Sequence, residues 1–398
     1  MSAARGGLFL FIVVLCSMFG QFATELYLPS MPAMARYFNV NISVVQLSIT
    51  NYTFGYAVGS FWCGYISDKS GRLKVLFPCI IVTIFGSLMC CFAFDAEFLF
   101  VGRFIQGLGL GGIGVVSRSV VRDISKTKME FAKFASILGS VSAIAIAFAP
   151  IIGGYIEKYL FWRINFVLLF LIALCLAWLC RYKLVETNED TGKIDLLEMI
   201  HDYFEVFKNK QFLLYNCISS LTLAGFISYQ TISAYLLQVK VGLAPDSFGY
   251  TSLLVTIALI LGGVINSKVV ERRGVEVMLK FGSMLYLLAG ALYVVGGLFN
   301  IVNVVSILLP MMLFTFGAGI IYPNASSGAL SLFTKKAGTA ASIYNCFQML
   351  GGTMGSWIIS SIYANTPLPL GVMFVFIGLS GMLVYYSLQF SLLHNESL

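Results

Sequence analysis

The sequence predicts an all-α polytopic membrane protein in which twelve transmembrane helices form two pseudo-symmetric halves of six. Its 398 residues are 59% hydrophobic and only 11% charged, with a mean hydropathy of +0.88, a composition that water-soluble domains do not reach. Residues 281–334 and 337–395 contain no Asp, Glu, Lys or Arg, and each stretch is long enough to cross a bilayer twice. The apolar runs are continuous rather than alternating, which excludes an outer-membrane barrel.

Moving an apolar window of about 20 residues along the chain predicts the individual spans. The longest polar break separates six spans from six, so we predict an N-terminal bundle over 1–184, a cytoplasmic linker over 185–210 and a C-terminal bundle over 211–398. Two similar halves joined by a polar linker are typical of duplicated transporters. The predicted spans lie near 8–30, 44–66, 75–94, 98–118, 132–156, 163–182, 211–237, 248–267, 278–297, 302–322, 338–362 and 370–392.

The distribution of basic residues predicts the orientation. With the N-terminus inside, twenty of the 25 Lys and Arg residues fall on one side, including Lys193, Lys335 and Lys336. The positive-inside rule then places both termini and the linker in the cytoplasm. We interpret the first apolar stretch as an uncleaved spanning helix, because no clear cleavage site follows it. The remaining basic residues are Arg36, Arg103, Lys158, Arg163 and Lys240.

Residue types that hold metals or cofactors are scarce. The two histidines, His201 and His394, lie outside the predicted spans, and all nine cysteines lie in apolar stretches, where they are typical of small buried hydrophobes. No Gly-x-x-x-x-Gly-Lys-Ser/Thr phosphate-binding sequence is present. We therefore expect no cofactor, no metal, no catalytic residues and no nucleic-acid partner. A membrane enzyme would need clustered acids or histidines at one depth, and a receptor role has no positive support.

One carboxylate, Glu25, falls inside a predicted span. A low dielectric penalises its ionised form, so we expect it to be readily protonated and deprotonated near neutral pH, as a proton carrier requires. Gln21 lies one helical turn away on the same face. The alternative is a hydrated Glu25 at the outer end of the helix.

Arg103 is the corresponding cation in the fourth predicted span. Because a guanidinium cannot discard its proton, its desolvation requires an anion or carbonyl groups nearby, and Gln106 follows within a turn. The alternative is an arginine that reaches the outer interface near Asp95 and Glu97. The sequence leaves open whether Glu25 and Arg103 pair directly.

The loop after the second span, Gly64-Tyr65-Ile66-Ser67-Asp68-Lys69-Ser70-Gly71-Arg72-Leu73-Lys74, resembles the signature loop of the Major Facilitator Superfamily. In that family the loop closes the cytoplasmic side, so the resemblance implies the superfamily fold. The gating residues that it implies are Gly64, Asp68, Gly71, Arg72 and Arg122.

Two further motifs resemble those of the same superfamily. The run from Arg103 to Gly109 is similar to its fourth-span motif, in which the arginine is implicated in proton coupling. Ala149-Pro150-Ile151-Ile152-Gly153-Gly154 resembles the antiporter motif of drug exporters, with Ala149 in place of a glycine. This second resemblance implies roles for Pro150, Gly153 and Gly154.

Within the superfamily, Thr24-Glu25-Leu26-Tyr27-Leu28-Pro29 is similar to a pattern of the Bcr/CflA group of bacterial drug:proton antiporters, with Glu25 in the acidic position. The resemblance implies a monomeric inner-membrane exporter of small amphiphilic molecules that is driven by protons. Ser60, Tyr65 and Ala234 depart from the group's usual residues and leave the ligand open. Export of an endogenous metabolite such as a siderophore or amino acid, and proton symport, remain alternatives.

Polar and aromatic residues inside the spans predict a substrate cavity, because such residues are costly in lipid and are favoured around a water-filled pathway. Any one of them is as typical of helix packing as of ligand binding. The candidates are Gln21, Asn51, Tyr52, Tyr56, Gln106, Tyr229, Gln230, Ser233, Asn324, Tyr344, Asn345 and Gln348.

Overall fold

A computed structural model of the chain describes residues 3–188, 192, 195–333, 337–362 and 365–395, all helical or in connecting turns. The basic residues Lys193, Lys335 and Lys336, and part of the predicted linker, lie outside the described residues. The helices are α1 (Ala3–Glu25), α2 (Met31–Phe38), α3 (Ile42–Ser70), α4 (Arg72–Cys91), α5 (Ala96–Ile124), α6 (Lys128–Tyr159), α7 (Arg163–Lys183), α8 (Leu196–Lys208), α9 (Lys210–Ala234), α10 (Pro245–Arg273), α11 (Val275–Leu298), α12 (Val304–Ser331), α13 (Ala337–Ser361) and α14 (Leu368–Asn395).

The all-α fold class is confirmed, and each predicted span coincides with a long helix. In the described part of the chain, ten segments are long and apolar enough to cross a membrane. The two remaining long helices, α3 and α13, pack against each other through polar side chains. Thr50 Oγ1 lies 2.8 Å from Ser356 Oγ, and Thr353 donates to Thr53 over 3.0 Å. These protein-facing hydroxyls lower the mean hydropathy of α3 and α13.

The first span is interrupted directly after Glu25. Helix α1 ends at this residue, and a single 3₁₀ turn over Leu28–Ser30 leads into α2. Pro29 and Pro32 explain the interruption, because proline lacks the N–H that would continue the helix but is accommodated in a first helical turn. The interruption leaves the Glu25 side chain at a helix end, where it reaches across to another helix.

We call helices α1–α7 the first half of the molecule and helices α9–α14 the second half. Within the first half, α5 packs on α3 and α4, and within the second half, α11 packs on α12 and α14. The most extensive contacts between the halves are those of α3 with α13 and of α6 with α10. We call the end that carries Asp68 and α8 the linker end, and the end that carries α2 the opposite end.

Helix α8 lies in the predicted linker and is bound to the bundle, which the sequence did not predict. The Tyr203 hydroxyl donates to the Phe61 carbonyl over 2.9 Å, and the Phe207 ring lies 5.2 Å from that of Phe347 on α13. Met199 and Val206 are also buried. Because α8 contacts both α3 and α13, it covers the seam between the halves at the linker end.

Candidate functional site

Glu25 is buried, with 2% of its surface exposed. Its Oε1 accepts a hydrogen bond from Nε2 of Gln230 on α9. The acid belongs to the first half and the amide to the second, so the carboxyl group lies at the seam between them. This placement differs from the hydrated helix end that the sequence left open.

A small cavity of about 20 Å³ adjoins Glu25, which is room for about one water molecule. Besides Glu25, the lining residues with polar side chains are Tyr229, Gln230, Ser233, Thr251 and Ser252. The remaining walls are largely apolar, and their residues include Leu28, Ile146, Phe226, Phe248 and Val255. The lining thus combines a carboxyl group, an amide and hydroxyls with apolar side chains.

Arg103 is fully buried on α5 and is held by aromatic rings. Its guanidinium carbon lies 4.3 Å from the ring centroid of Tyr27 and 4.1 Å from that of Tyr52, which are cation–π distances. Its Nη1 donates to Gln106 Oε1 over 2.5 Å and to the Ala23 carbonyl over 3.3 Å. Arg103 therefore lies inside the first half and does not reach the protein surface.

Glu25 and Arg103 form no ion pair within 4.0 Å in the described chain. They are connected instead through α1, because Arg103 binds the carbonyl of Ala23, two residues before Glu25. Nε and Nη2 of Arg103 are buried without a hydrogen-bond partner among the described residues. Buried donors are costly to leave unpaired, and these two groups of Arg103 can still bind an acceptor.

Five of the side chains predicted to line a substrate cavity lie near one of these two charges. Tyr229, Gln230 and Ser233 line the cavity beside Glu25. Tyr52 and Gln106 contact Arg103, and Gln106 also donates to Ser87 Oγ over 2.8 Å.

The other seven predicted cavity residues lie elsewhere. In the second half, the Tyr344 hydroxyl and the Gln348 amide both donate to Ser219 Oγ, over 2.6 and 2.7 Å. Asn324 donates to Asn266 over 2.7 Å. Their cavity roles stay predictions. Of the four remaining residues, Gln21 is half-buried and Tyr56 is buried beside Tyr52. Asn51 and Asn345 each donate a hydrogen bond to a carbonyl of their own helix.

The predicted gating loop forms a compact ionic cluster at the linker end. Arg72, 3% exposed, binds Asp68 and donates from Nε to Asp123 Oδ2 over 2.7 Å. Arg122 Nη2 lies 3.4 Å from Asp68 Oδ1. Gly71 joins α3 to α4 with φ of +107°, a conformation that favours glycine.

The second half contacts this cluster. A Cβ atom added to Gly338, in the first turn of α13, would lie 2.8 Å from Asp68 Oδ2 and 2.9 Å from Arg122 Nη1. A Cβ on Gly64 of α3 would meet the side chain of Ser342, which also lies on α13. The ion pairs of the first half therefore meet the start of α13, where the helix dipole favours a carboxylate.

Glu186 anchors the chain after α7 to this cluster, a role that its place in the polar linker did not reveal. Its carboxylate accepts the Arg72 and Leu73 backbone N–H groups over 2.7 and 2.9 Å, so it binds the N-terminus of α4. Partial burial acts to raise the pKa of Glu186, but four backbone N–H donors outweigh it and hold the pKa below its usual value. These donors belong to Asn188, Leu73, Arg72 and Thr187.

The predicted antiporter motif brings α6 close to two backbone segments. A Cβ on Gly153 would collide with the carbonyl of Leu26, directly after Glu25, and one on Gly154 would collide with the carbonyl of Pro245 on α10. The carbonyl of Pro150 would in turn lie 2.6 Å from a Cβ on Gly249. The motif thus permits a tight contact between the halves beside Glu25.

Besides Glu186, sequence reasoning missed two residues of the site. Tyr27 is fully buried, stacks on Arg103 and shares a 3.0 Å hydrogen bond with Ser48. Tyr27 belongs to the motif Thr24-Glu25-Leu26-Tyr27-Leu28-Pro29, and its place in that motif was the feature that could have identified it. Glu157 was assigned to a loop, but α6 continues to Tyr159 and carries Glu157 half-buried at the seam.

Two helical bundles that meet around buried charges define the class of the protein, a polytopic membrane transporter. The sequence model that describes the Major Facilitator Superfamily matches residues 10–356 of the chain. The chain therefore belongs to this family. The predicted family is confirmed. The prediction of a transporter rather than an enzyme is confirmed with it, and the partner of such a transporter is a small molecule that it carries across a membrane.

Similar proteins include several that are named for drug resistance. Multidrug resistance protein D of Escherichia coli is 28% identical, with 97% of each chain covered. A bicyclomycin resistance protein homolog of Haemophilus influenzae is also 28% identical and covers 91% of this chain and 92% of its own. A chloramphenicol resistance protein of Pseudomonas aeruginosa is 27% identical and covers 87% and 83%.

Solved structures share the fold at low sequence identity. A POT family transporter in complex with 5-aminolevulinic acid superimposes with a TM-score of 0.76 at 15% identity, covering 96% of this chain and 95% of that one. A D-xylose-proton symporter gives 0.70 at 14% identity, covering 95% and 97%.

Proposed function

We propose that the protein is a proton-coupled antiporter that exports amphiphilic drugs or related small molecules across a bacterial inner membrane. The linker end and both termini face the cytoplasm, and the chain acts as a monomer without a cofactor, driven by the proton gradient. The observation that carries the proposal is the hydrogen bond between Glu25 and Gln230, which joins a titratable group of one half to the other half.

Protonation of Glu25 changes this contact. An ionised carboxylate accepts a strong charge-assisted hydrogen bond from the Gln230 amide, and a neutral carboxyl accepts a weaker one. Because the two residues belong to different halves, the protonation state of Glu25 alters the relative stability of the arrangements of the halves. A protein that rocks its two halves around a central site would thereby couple proton binding to alternating access.

Exchange of proton for substrate requires the cavity beside Glu25 to open. A drug-sized ligand needs a pocket of about 300 Å³ or more, so the halves must separate around Glu25 to admit it. In the opened cavity, Glu25 is solvated and loses its proton. Substrate then occupies the same space. Inward movement of one proton charge contributes about 2.3 kcal/mol per 100 mV, which supports a modest gradient of exported substrate.

The names of the relatives support drugs as the substrate class, and chloramphenicol and bicyclomycin are the first compounds to test. Export of an endogenous metabolite or proton symport would share the same proton site. The direction of proton movement during substrate flux separates antiport from symport.

The experiment measures substrate flux in proteoliposomes under an imposed pH gradient, together with substrate counterflow without a gradient. We expect Glu25→Gln to abolish gradient-driven accumulation while counterflow persists, because the neutral side chain keeps its contact with Gln230 but cannot carry a proton. Glu97→Gln, which removes an exposed carboxylate of α5, is the matched control and should behave as wild type. Accumulation at the wild-type level in Glu25→Gln would reject the proposal.

A further inference from the structure

A second and larger cavity lies at the opposite end of the seam. Its volume is about 290 Å³, and we call it the outer vestibule. The first half contributes Pro29, Arg36 and Glu157 to its lining, and the second half contributes Gln238 and Pro245. The outer vestibule is thus formed by both halves, like the cavity beside Glu25.

A single turn of chain separates the outer vestibule from the cavity beside Glu25. Leu28 lines the cavity of Glu25, and its neighbour Pro29 lines the vestibule. Both belong to the 3₁₀ turn Leu28–Ser30. Nε2 of Gln238 donates to the Pro29 carbonyl over 2.9 Å, so the second half holds the wall in place.

Gln238 belongs to a π-helical segment, Tyr235–Lys240, that follows α9 directly. Such segments are rare and are found frequently at functional sites. Because α9 also carries Gln230, the second half contacts the first on both sides of the turn. A shift of α9 relative to α1 would therefore move the wall and the Glu25 contact together.

Glu157 is the acid of the outer vestibule. Its Oε2 is buried without a hydrogen-bond partner among the described residues, and the carboxyl group lies beside the hydroxyl of Ser30. Ser30 Oγ accepts a hydrogen bond from Nδ2 of Asn165 over 3.0 Å, which leaves its own hydrogen free to point at an acceptor. The carboxyl group of Glu157 is thus next to the wall that covers Glu25.

Among the described residues, one cation acts on Glu157, and no salt bridge within 4.0 Å holds the carboxyl group. Arg36 of α2 lines the same cavity and is the cation that acts on Glu157. Lys158 is bound to Asp246 of α10 over 2.7 Å. Lys240, at the end of the π-helical segment, lies 5.7 Å from the ring centroid of Tyr235.

We propose that Glu157 is the outward-facing proton relay that loads Glu25. The Glu157 carboxylate binds a proton from external water in the outer vestibule. When the turn Leu28–Ser30 moves, water connects the two cavities and the proton passes to the carboxylate of Glu25, which leaves Glu157 ionised again. The relay rests on the proposed function, because it supplies the proton that the antiporter exchanges.

The test compares Glu157→Gln with wild type in proteoliposomes, measuring proton-driven flux of chloramphenicol at external pH 6 to 8 and counterflow without a gradient. We expect counterflow to be unchanged. Proton-driven flux should fall about 100-fold at pH 8, the lower end of the range for a lost proton-transfer group, and recover at pH 6, where protons are abundant. Glu157→Asp should restore flux at pH 8, and Glu97→Gln serves as the control.

Three results would overturn the relay: a wild-type pH profile in Glu157→Gln, no restoration by Glu157→Asp, or a parallel loss of counterflow, which would indicate a packing role. The proposed function fails separately. If Glu25→Gln abolishes proton-driven flux and Glu157→Gln does not alter it, only the relay is wrong. If Glu25→Gln keeps proton-driven flux, the antiport mechanism itself is wrong.

Discussion

Glu25, at the C-terminal end of α1, accepts a hydrogen bond from Gln230, which lies near the C-terminal end of α9 and 205 residues further along the chain. One residue belongs to each half, and both are buried. The proposed proton site and the seam between the halves are therefore the same place in this structure. Proton binding and movement of the halves can then influence one another without a long pathway between them.

Gln230→Leu should weaken coupling while leaving the fold intact. The change removes the donor that stabilises ionised Glu25, and a hydrogen bond to a charged group contributes about 1.5–3 kcal/mol. We expect the change to favour the protonated form of Glu25, and proton-driven flux of chloramphenicol to fall at least about tenfold. Gln389→Leu, at an exposed position of α14, is the control. Equal flux in the two variants would show that the amide does not act on Glu25.

Arg103→Lys should impair transport although the charge is kept. The planar guanidinium lies between the rings of Tyr27 and Tyr52 and binds Gln106, and an ammonium group cannot reproduce that geometry. We expect lower flux and a lower midpoint of thermal unfolding in detergent. Arg181→Lys, at an exposed site on α7, should change neither. An Arg103→Lys protein with wild-type flux would mean that only charge is needed at this position.

Gly153→Ala should disrupt the contact between α6 and the turn after Glu25. The added Cβ would meet the carbonyl of Leu26, a backbone atom that cannot rotate away. Flux and thermal stability should both fall. Gly139→Ala is a matched control on the same helix, because no atom lies within 4 Å of the added Cβ, and alanine favours a helix over glycine by up to about 1 kcal/mol. Identical effects of the two substitutions would contradict the close contact.

Glu186→Gln should lower stability at neutral pH, with a defined dependence on pH. The pKa of Glu186 is lower in the folded protein than its usual value, so its stabilising effect is present above the usual pKa. The effect is lost as the pH falls through the lower folded value. The difference in thermal midpoint between wild type and variant should be largest near pH 7 and shrink below about pH 4. A constant difference at all pH values would exclude the charge of Glu186 as its source.

The sequence predicted those features that depend on composition and local pattern. Charge-free stretches predicted the spans, and the isolation of Glu25 and Arg103 in apolar segments singled them out. Pro29 and Pro32 were visible in the sequence, but the interruption of the first span was not predicted. Hydropathy alone gives the depth of a residue in the membrane and not the direction in which its helix faces.

Contacts between distant segments could not be predicted in this way. The bond between Glu25 and Gln230 depends on how two helices from different halves rotate and cross. The same holds for Glu186, which the sequence places among other linker charges and the fold places on the N-terminus of α4. Glu157 was missed because α6 extends three residues beyond the predicted span.

Proton release on substrate binding is the most direct measurement of exchange at Glu25. Chloramphenicol is added to the purified protein in detergent and weak buffer, and the change in pH is followed with an indicator dye. We expect the wild-type protein to release protons when it binds the ligand, and Glu25→Gln to bind the ligand without releasing any. Binding without proton release in the wild type, or equal release from Glu25→Gln, would contradict competition between substrate and proton at this residue.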